Sequence, residues 1–261
     1  MAARKRVSLA EAYEQSRAVS GRRRPQQERQ TRAELDKRAP RAPDAIERAY
    51  LAQMEVYQRK VERAVAQALK STPPDFDGLQ KKLDGMAFDH IRRLGIMGRR
   101  INAHARRQVS GLLGVDLPAL GPVDDLVVDA FMRRNLELLL RAGRDLVSRA
   151  RTKMAQFSKP ETQQRHITRL GKRFGWRWRL IAQDQVARFE SEVIQNWALE
   201  AGQDGYYWVT CRDDRVRPGH AALEGRFVLW SQPPSTGARE GHNHAGRSIR
   251  CRCRPALVPS C

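Results

Sequence analysis

The amino-acid sequence predicts an α+β fold, in which an extended, mostly α-helical body is followed by a small C-terminal β-containing module. Apolar residues recur at steps of three and four through most of the first 204 residues, which is the spacing of one face of a helix. After Gly205 the chain becomes aromatic and β-branched, which is typical of strands. We therefore expect a basic, flexible N-terminal arm at 1–42, a long-helix body at 43–204 and the module at 205–261.

The helices are predicted from this periodicity and from the residues that interrupt it. Their expected ranges are 8–19 in the arm and, in the body, 44–68, 79–113, a third after the loop 114–122 that ends at Lys159-Pro160, and a fourth with its stripe at 182–201. Asp44 can cap its helix together with Glu47. Asn135 interrupts an apolar stripe, where we expect a buried amide satisfied by hydrogen bonds.

The module is expected to contain extended segments separated by loops rich in Gly, Ser and Pro. The predicted strands are 206–210, 226–230 and 251–258, and the predicted loops are 231–237 and 241–246. A module of this size has too small a core to be stable without a further link between its segments.

Charge and cysteine content narrow the class of protein. The chain has 49 Lys and Arg against 29 Asp and Glu, a net charge of +20, which favours a polyanionic partner or serves solubility by self-repulsion. No apolar run is long enough to span a membrane, and the N-terminus lacks the apolar stretch of a signal peptide, so we expect synthesis in a cytoplasm. Four cysteines, three of them near the C-terminus, do not make the framework of a disulfide-rich secreted domain.

Two basic runs are candidates for contact with nucleic acid. The candidate residues are Arg22, Arg23 and Arg24 in the arm, and Lys172, Arg173, Arg177 and Arg179 in the body. The second run interleaves cations with Trp176 and Trp178, a combination that can stack bases and follow phosphates. On a helix these two tryptophans point to different faces, so we favour their packing against the body or another subunit.

A long motif in the module provides the most specific signal. It reads Thr-x-x-Asp-x-Arg-Val-Arg-x-x-His-x-x-Leu-x-Gly with a later Cys-Arg-Cys, and its residues are Thr210, Asp213, Arg215, Val216, Arg217, His220, Leu223, Gly225, Cys251, Arg252 and Cys253. The motif resembles that of the phage head-morphogenesis family typified by phage Mu protein F, also called minor head proteins. Residues 131–139 are similar to a Phe-x-x-x-Asn-x-x-Leu stretch of the same family, which extends the resemblance to about residues 120–258.

This resemblance implies a structural protein and no enzyme. Such proteins enter the procapsid of a tailed phage in few copies, aid head assembly and associate with the portal vertex. The expected partners are the portal protein, the inner capsid and packaged double-stranded DNA bound through its phosphates. The expected location is the virion, in the capsid interior at the portal vertex, after synthesis in the host cytoplasm.

Three interpretations of the cysteines remain open from sequence. His220, Cys251 and Cys253 are ligands of the kinds that zinc prefers, with Cys211 or Asp213 as a fourth, although no cofactor is required. Alternatively the thiols are simply buried and His220 is hydrogen-bonded to the backbone. A disulfide between Cys211 and Cys253 is the third interpretation.

The acidic residues of the motif also allow alternatives. A buried pair of Asp213 with an arginine would hold the turn, and the other interpretation is direct contact of this segment with DNA or the portal. On paper, a metal-dependent nuclease could be assembled from Asp213, Asp214, Glu224, His220 and the His242-Asn243-His244 run. A free-standing basic nucleic-acid-binding protein is the remaining alternative, and it would bind naked DNA with a steep salt dependence.

Overall fold

The computed structural model describes residues 32–40, 44–118, 122–238 and 240–258. The predicted helix 8–19 and the candidate residues Arg22, Arg23 and Arg24 lie outside the described residues, so both stay predictions.

Long helices build the body, as the apolar periodicity predicts. The described helices are α1 (Arg32–Lys37), α2 (Asp44–Ala68), α3 (Phe76–Leu113), α4 (Pro122–Gln156), α5 (Pro160–Glu200) and α6 (Pro218–Ala221). α3 begins earlier than predicted because the Asp75 side chain accepts a hydrogen bond of 2.8 Å from the Gly78 N–H and so caps the helix. α5 begins at Pro160 because proline is tolerated in the first turn of a helix.

Two glycines let α3 and α4 approach closely. A Cβ at Gly95 would lie 2.6 Å from the Met132 sulfur, and one at Gly98 would lie 3.0 Å from Val128. Next to this contact the rings of Phe131 and Phe189 stack with their centroids 4.3 Å apart, so α5 joins the same interface. The long helices α2, α3, α4 and α5 therefore share one core.

Buried amides in this core have hydrogen-bond partners. Asn135 is 3% exposed, accepts a hydrogen bond of 3.2 Å from the Tyr50 hydroxyl and donates one of 2.8 Å to the Phe131 carbonyl. Asn102 accepts a hydrogen bond of 2.7 Å from the Trp197 indole. These contacts satisfy polar groups that would otherwise destabilise the core. Asn135 is thus a buried amide satisfied by hydrogen bonds, as the sequence predicts.

Short antiparallel strands form the module, which completes the α+β fold. The described strands are β1 (Gly205–Val209), β2 (Phe227–Leu229), β3 (Ser235–Gly237), β4 (Gly241–His242) and β5 (Arg254–Ala256). β1 lies between β2 and β5, with Tyr206 opposite Val228 and Trp208 opposite Pro255. β3 and β4 pair separately.

The pairing of β3 with β4 shows that the sequence interpretation of 231–237 and 241–246 as loops alone is wrong. These strands are short, and their Gly, Ser and Thr residues carry no alternating apolar pattern for sequence analysis to detect. A Cβ at Gly219 would lie 2.3 Å from the Thr236 carbonyl oxygen, so β3 is positioned by close contact with α6.

The hydrophobic core is continuous from the helical body into the module. Tyr206, Trp208 and Leu257 belong to the same buried cluster as the helix residues Phe189 and Trp197. Tyr206 and Trp208 are 0% exposed, so β1 anchors the sheet to the body. In the described part of the chain, we find no helix whose length and apolar character would allow it to cross a bilayer.

Helix α1 packs against the module, although it lies within the predicted N-terminal arm. Leu35 and Ala39 are buried in a small cluster with Val209 and Ala256. The Leu257 N–H donates a hydrogen bond of 2.9 Å to the Arg38 carbonyl. Residues 32–40 thus differ from the predicted flexible arm, because their apolar side chains find a partner surface that is distant in sequence.

Candidate functional site

Three buried side chains of the motif meet at one point in the module. His220 lies on α6, and Cys251 and Cys253 precede β5. The His220 Nδ1 atom is 3.4 Å from the Sγ atoms of both Cys251 and Cys253. One ring nitrogen of His220 and the Sγ atoms of the two cysteines all lie within 4.8 Å of one another. Each of the three residues is at most 5% exposed.

Glu240 and Arg217 fix the orientation of the His220 ring. The His220 Nε2 atom is 2.9 Å from Glu240 Oε2, and the other Glu240 oxygen is 2.9 Å from Arg217 Nε. Arg217 also donates a hydrogen bond of 2.6 Å to the Ile249 carbonyl. Since a carboxylate only accepts hydrogen bonds, His220 donates its Nε2–H to Glu240, and the Nδ1 atom faces the two sulfurs.

Titration within this cluster is shifted towards charged forms of His220 and Cys251. The hydrogen bond with Cys251 raises the pKa of His220 above its usual value, and Glu240 adds to the effect. Hydrogen bonds from Cys253 and His220 outweigh burial and lower the pKa of the Cys251 thiol, while the pKa of Cys253 is raised by its bond with Cys251. Burial alone would raise the pKa of Glu240, but its contacts with His220 and Arg217 lower it.

A shallow depression opens above this cluster and is rich in arginine. It is lined by the three clustered residues together with Cys211, Arg215, Val216, Arg217, Arg250 and Arg252. Cys211 is the most exposed of the described cysteines, and all three, Cys211, Cys251 and Cys253, are free thiols. The structure therefore does not contain the Cys211–Cys253 disulfide, which was the third of the interpretations left open from sequence. The depression is positively charged at its rim.

Asp213 holds the turn that follows β1 by pairing with an arginine, which is the first of the two interpretations left open from sequence, but the pair is more exposed than expected. It forms an ion pair with Arg252 of the Cys-Arg-Cys run and accepts a hydrogen bond of 3.1 Å from the Arg215 N–H. The two paired side chains are 33% and 49% exposed, so the prediction of a buried pair is wrong. The ion pair and hydrogen bonds outweigh desolvation and lower the pKa of Asp213.

Glu224 connects by hydrogen bonds to residues 210 and 212, at the start of the motif. It accepts hydrogen bonds of 2.6 Å from the Thr210 N–H and 2.8 Å from Arg212 Nε. Arg212 adopts a φ of 57°, a left-handed conformation that is strained for a residue with a side chain. Its guanidinium also binds Asp36 of α1 at 2.5 Å, so the strained residue joins α1 to the module.

The remaining motif residues serve the fold. Leu223 is 7% exposed in the core, and Gly225, at a φ of 71°, donates a hydrogen bond of 2.8 Å to the Trp208 carbonyl. Val216 closes the turn through a bond of 3.1 Å from its N–H to the Asp213 carbonyl. Arg215 is exposed at the rim of the depression. The motif thus specifies the module's architecture by contacts between its own residues and their neighbours.

Comparison with known proteins agrees with the motif. Residues 155–256 match the family described as Phage Mu protein F like protein. We refer to residues 155–256 as the Mu F-like segment because of this match. A protein of Haemophilus influenzae, described as uncharacterized, is 32% identical over 87 residues, which make up 33% of this chain and 18% of that protein. This chain therefore covers less than a fifth of that relative. No solved structure matches this chain.

The Mu F-like segment runs from the end of α4 to the last residue of β5. It includes α5, whose Asp184 accepts a hydrogen bond of 2.6 Å from the Arg250 N–H next to Cys251. Ser191 of the same helix donates one of 2.6 Å to the Ala245 carbonyl. Helix α5 is therefore part of the Mu F-like unit in structure, because it directly supports the loops that carry the motif.

Of the nucleic-acid candidates in the body, Lys172 and Arg173 are exposed on α5, within the Mu F-like segment. Arg177 and Arg179 lie on the same helix, but their side chains fall outside the described ones. Lys172 and Arg173 are therefore accessible for the predicted contact with nucleic acid, and the contacts of Arg177 and Arg179 stay predictions.

Sequence reasoning missed a second set of cations, on α3. Arginine pairs recur every seven residues at Arg92-Arg93, Arg99-Arg100 and Arg106-Arg107, and residues 90–115 contain no Asp or Glu. Seven residues are close to two helical turns, so each series forms a row along the helix. All of these arginines except Arg106 are exposed, whereas Arg106 donates a hydrogen bond of 2.9 Å to the Leu117 carbonyl. The seven-residue spacing was the available signal.

Proposed function

We propose that this protein is a minor head-morphogenesis protein of a tailed phage. It is present in few copies inside the procapsid near the portal, aids head assembly and contacts the packaged DNA. The observation that carries the proposal is the match of residues 155–256 to the Mu F-like family, over the same segment in which the motif residues build a folded module. Its site of action is the virion, in the capsid interior at the portal vertex.

The contacts of the motif support a docking module over a reaction centre. Arg217 and Asp213 are each engaged in an ion pair with another residue of the module. Among the described residues, the group of His, Cys, Asp and Glu side chains close enough to share an ion contains no carboxylate. A nuclease that uses Mg²⁺ needs carboxylate ligands, so the donor set is wrong for that alternative.

The two arginine rows of α3 support contact with DNA. Arg93, Arg100 and Arg107 form one row, in which successive residues lie about 10 Å apart along the axis. Exposed cations in a row bind phosphates and release counterions, whatever the base sequence. This is the mode of binding that packaged DNA of arbitrary sequence requires.

Association with the portal tests the assembly role. Tagged portal rings should retain the protein from lysates of infected cells, both before and after nuclease has removed all DNA. Retention that disappears with nuclease would instead support the free-standing nucleic-acid-binding alternative. Quantitative protein composition of purified procapsids and virions should find the protein in few copies per particle, and its absence from both would refute the proposal.

The DNA contact is tested separately by removing one arginine row. The triple variant Arg93→Gln, Arg100→Gln, Arg107→Gln should bind double-stranded DNA more weakly. The negative slope of log affinity against log salt should become shallower by about 3. The matched control removes three exposed cations of α2 and the turn after it, Arg59, Arg63 and Lys70, and should change the slope less. Equal slopes for both variants would show that the α3 row does not contact DNA.

A further inference from the structure

The geometry of the cysteine and histidine cluster points to a bound metal ion. We propose that His220, Cys251 and Cys253 bind a zinc ion and that Cys211 is its fourth ligand. This inference goes beyond the proposed function, which rests on the family match and not on a metal.

The distances fit tetrahedral zinc. Zinc binds a histidine nitrogen at about 2.0–2.1 Å and a cysteine sulfur at about 2.3 Å, which places the two ligand atoms about 3.6 Å apart. The His220 Nδ1 atom is 3.4 Å from the Sγ atoms of both Cys251 and Cys253. The whole set of ligand atoms lies within 4.8 Å, so small movements bring these three donors around one ion.

The orientation of His220 also fits a metal ligand. A zinc-bound histidine almost always donates its other ring N–H to a carboxylate, a backbone carbonyl or water, which fixes the ring and its tautomer. Glu240 occupies that position at 2.9 Å from His220 Nε2 and is itself held by Arg217. In the neutral ring the Nδ1 lone pair faces two sulfurs, and it can accept a hydrogen from only one of them. A single cation satisfies all three donors at once.

The short Cys-x-Cys spacing is consistent with this arrangement. Residues 251–253 lead directly into β5, and side chains two positions apart along an extended segment point to the same side. Both thiols therefore face His220, while Arg252 between them points to Asp213. Two neighbouring thiolates can bind the same ion without the longer loop of common zinc motifs.

Cys211 is the remaining donor of suitable chemistry at the depression. It follows β1, lines the depression with the other three residues and is a free thiol. Its Sγ atom donates a hydrogen bond of 3.5 Å to Asp213 Oδ1 and lies outside the set of ligand atoms within 4.8 Å, so its side chain would turn towards the ion. Three thiolates and a neutral histidine give the zinc site a net charge of −1. The arginines at the rim, among them Arg215 and Arg250, balance that charge. The ion would connect β1, α6 and the segment before β5, and its binding would add to the stability of the folded module.

Metal analysis of the full chain tests the proposal. Protein purified under reducing conditions, with any affinity tag removed, should contain about one zinc per chain, released when a mercurial reagent modifies the thiols. The variants Cys251→Ser and His220→Asn should lose zinc affinity at least about tenfold. Cys261→Ser and His242→Gln are matched controls that should keep it. Zinc absent from the wild type, or retained equally by Cys251→Ser, would overturn the site.

Cobalt substitution of the wild type avoids the problem that a ligand variant fails to fold. Cobalt added to the chelator-treated full chain should give the intense visible bands of a tetrahedral site and near-ultraviolet thiolate charge-transfer bands. A spectrum of octahedral cobalt without thiolate bands would refute the proposal. The intensity of the thiolate bands should decrease in Cys211→Ser, and an unchanged spectrum and zinc affinity would refute Cys211 as the fourth ligand.

Discussion

Arg212 binds Asp36 across 176 residues of sequence, at a distance of 2.5 Å. Asp36 belongs to α1 and Arg212 to the turn after β1, and the same guanidinium binds Glu224 at 2.8 Å. The interaction with two carboxylates compensates for the left-handed backbone that Arg212 adopts. The pair therefore couples the order of α1 to the conformation of the motif.

Replacing Asp36 by Asn should weaken the attachment of α1 to the module. Both paired side chains are partly exposed, so we expect a loss of about 1 kcal/mol in unfolding free energy. Hydrogen exchange should accelerate at residues 32–40 and at 210–212 more than elsewhere. Asp116→Asn, at an exposed carboxylate of the body, is the control and should leave exchange at these positions unchanged.

His90 should make the helical body sensitive to acid. It is 6% exposed, its Nε2 atom lies 3.0 Å from the Met54 sulfur, and burial together with the charges of Arg93 and Lys60 lowers its pKa to about 4. The unfolded state, with a pKa near 6.5, binds the proton first as pH falls. The contribution of neutral His90 to the free energy of unfolding is therefore fully present above about pH 6.5. It is lost as the pH falls from about 6.5 to 4.

The expected loss is about 2 kcal/mol by pH 4.5, measured as the difference between wild type and His90→Gln in denaturant unfolding. At pH 7 the variant is less stable than wild type, and this gap should narrow as pH falls. His242→Gln, at an exposed ring, serves as the control. A gap that stays constant from pH 7 to 4.5 would show that His90 does not take up the proton on unfolding.

Two Gly→Ala substitutions should have opposite effects on stability. At Gly219 the new methyl group would lie 2.3 Å from the Thr236 carbonyl oxygen, so we expect destabilisation of about 2 kcal/mol as α6 and β3 separate. At Gly85, inside α3, nothing lies within 4 Å, so better helix propensity should stabilise by about 1 kcal/mol. Thermal unfolding of both variants measures the difference, and equal shifts would contradict it.

Asp213→Ala should loosen the turn after β1. The substitution removes the ion pair with Arg252 and the hydrogen bond from the Arg215 N–H, so proteolysis within residues 211–217 should become faster. Asp214→Ala, at the exposed neighbouring carboxylate, should not have this effect. In complementation of a phage that lacks the protein, a turn-stabilising role predicts reduced head incorporation together with faster proteolysis. A stable variant that fails to enter heads would support direct contact with a partner.

The helical body could be predicted from sequence because its signals are local. α2 matches its predicted range because its apolar periodicity and its stop at residues 72–75 lie within or next to one segment. The partners of Asp213 and Arg212 could not be predicted, since Arg252 and Asp36 are 39 and 176 residues away. The cluster of His220 with Cys251 and Cys253 was predictable as a set of ligand types. Glu240 was not, because only the fold brings β3 and the turn after it next to α6.

The position of α1 has a consequence for biosynthesis. A ribosome makes residues 32–40 long before β1 and β5, yet these later strands supply Val209 and Ala256, on which Leu35 and Ala39 rest. The early segment must therefore wait, without its binding surface, until almost the whole described chain has left the exit tunnel. Its docking is a late step, and a chain interrupted before β5 would leave Leu35 and Ala39 exposed to proteases and chaperones.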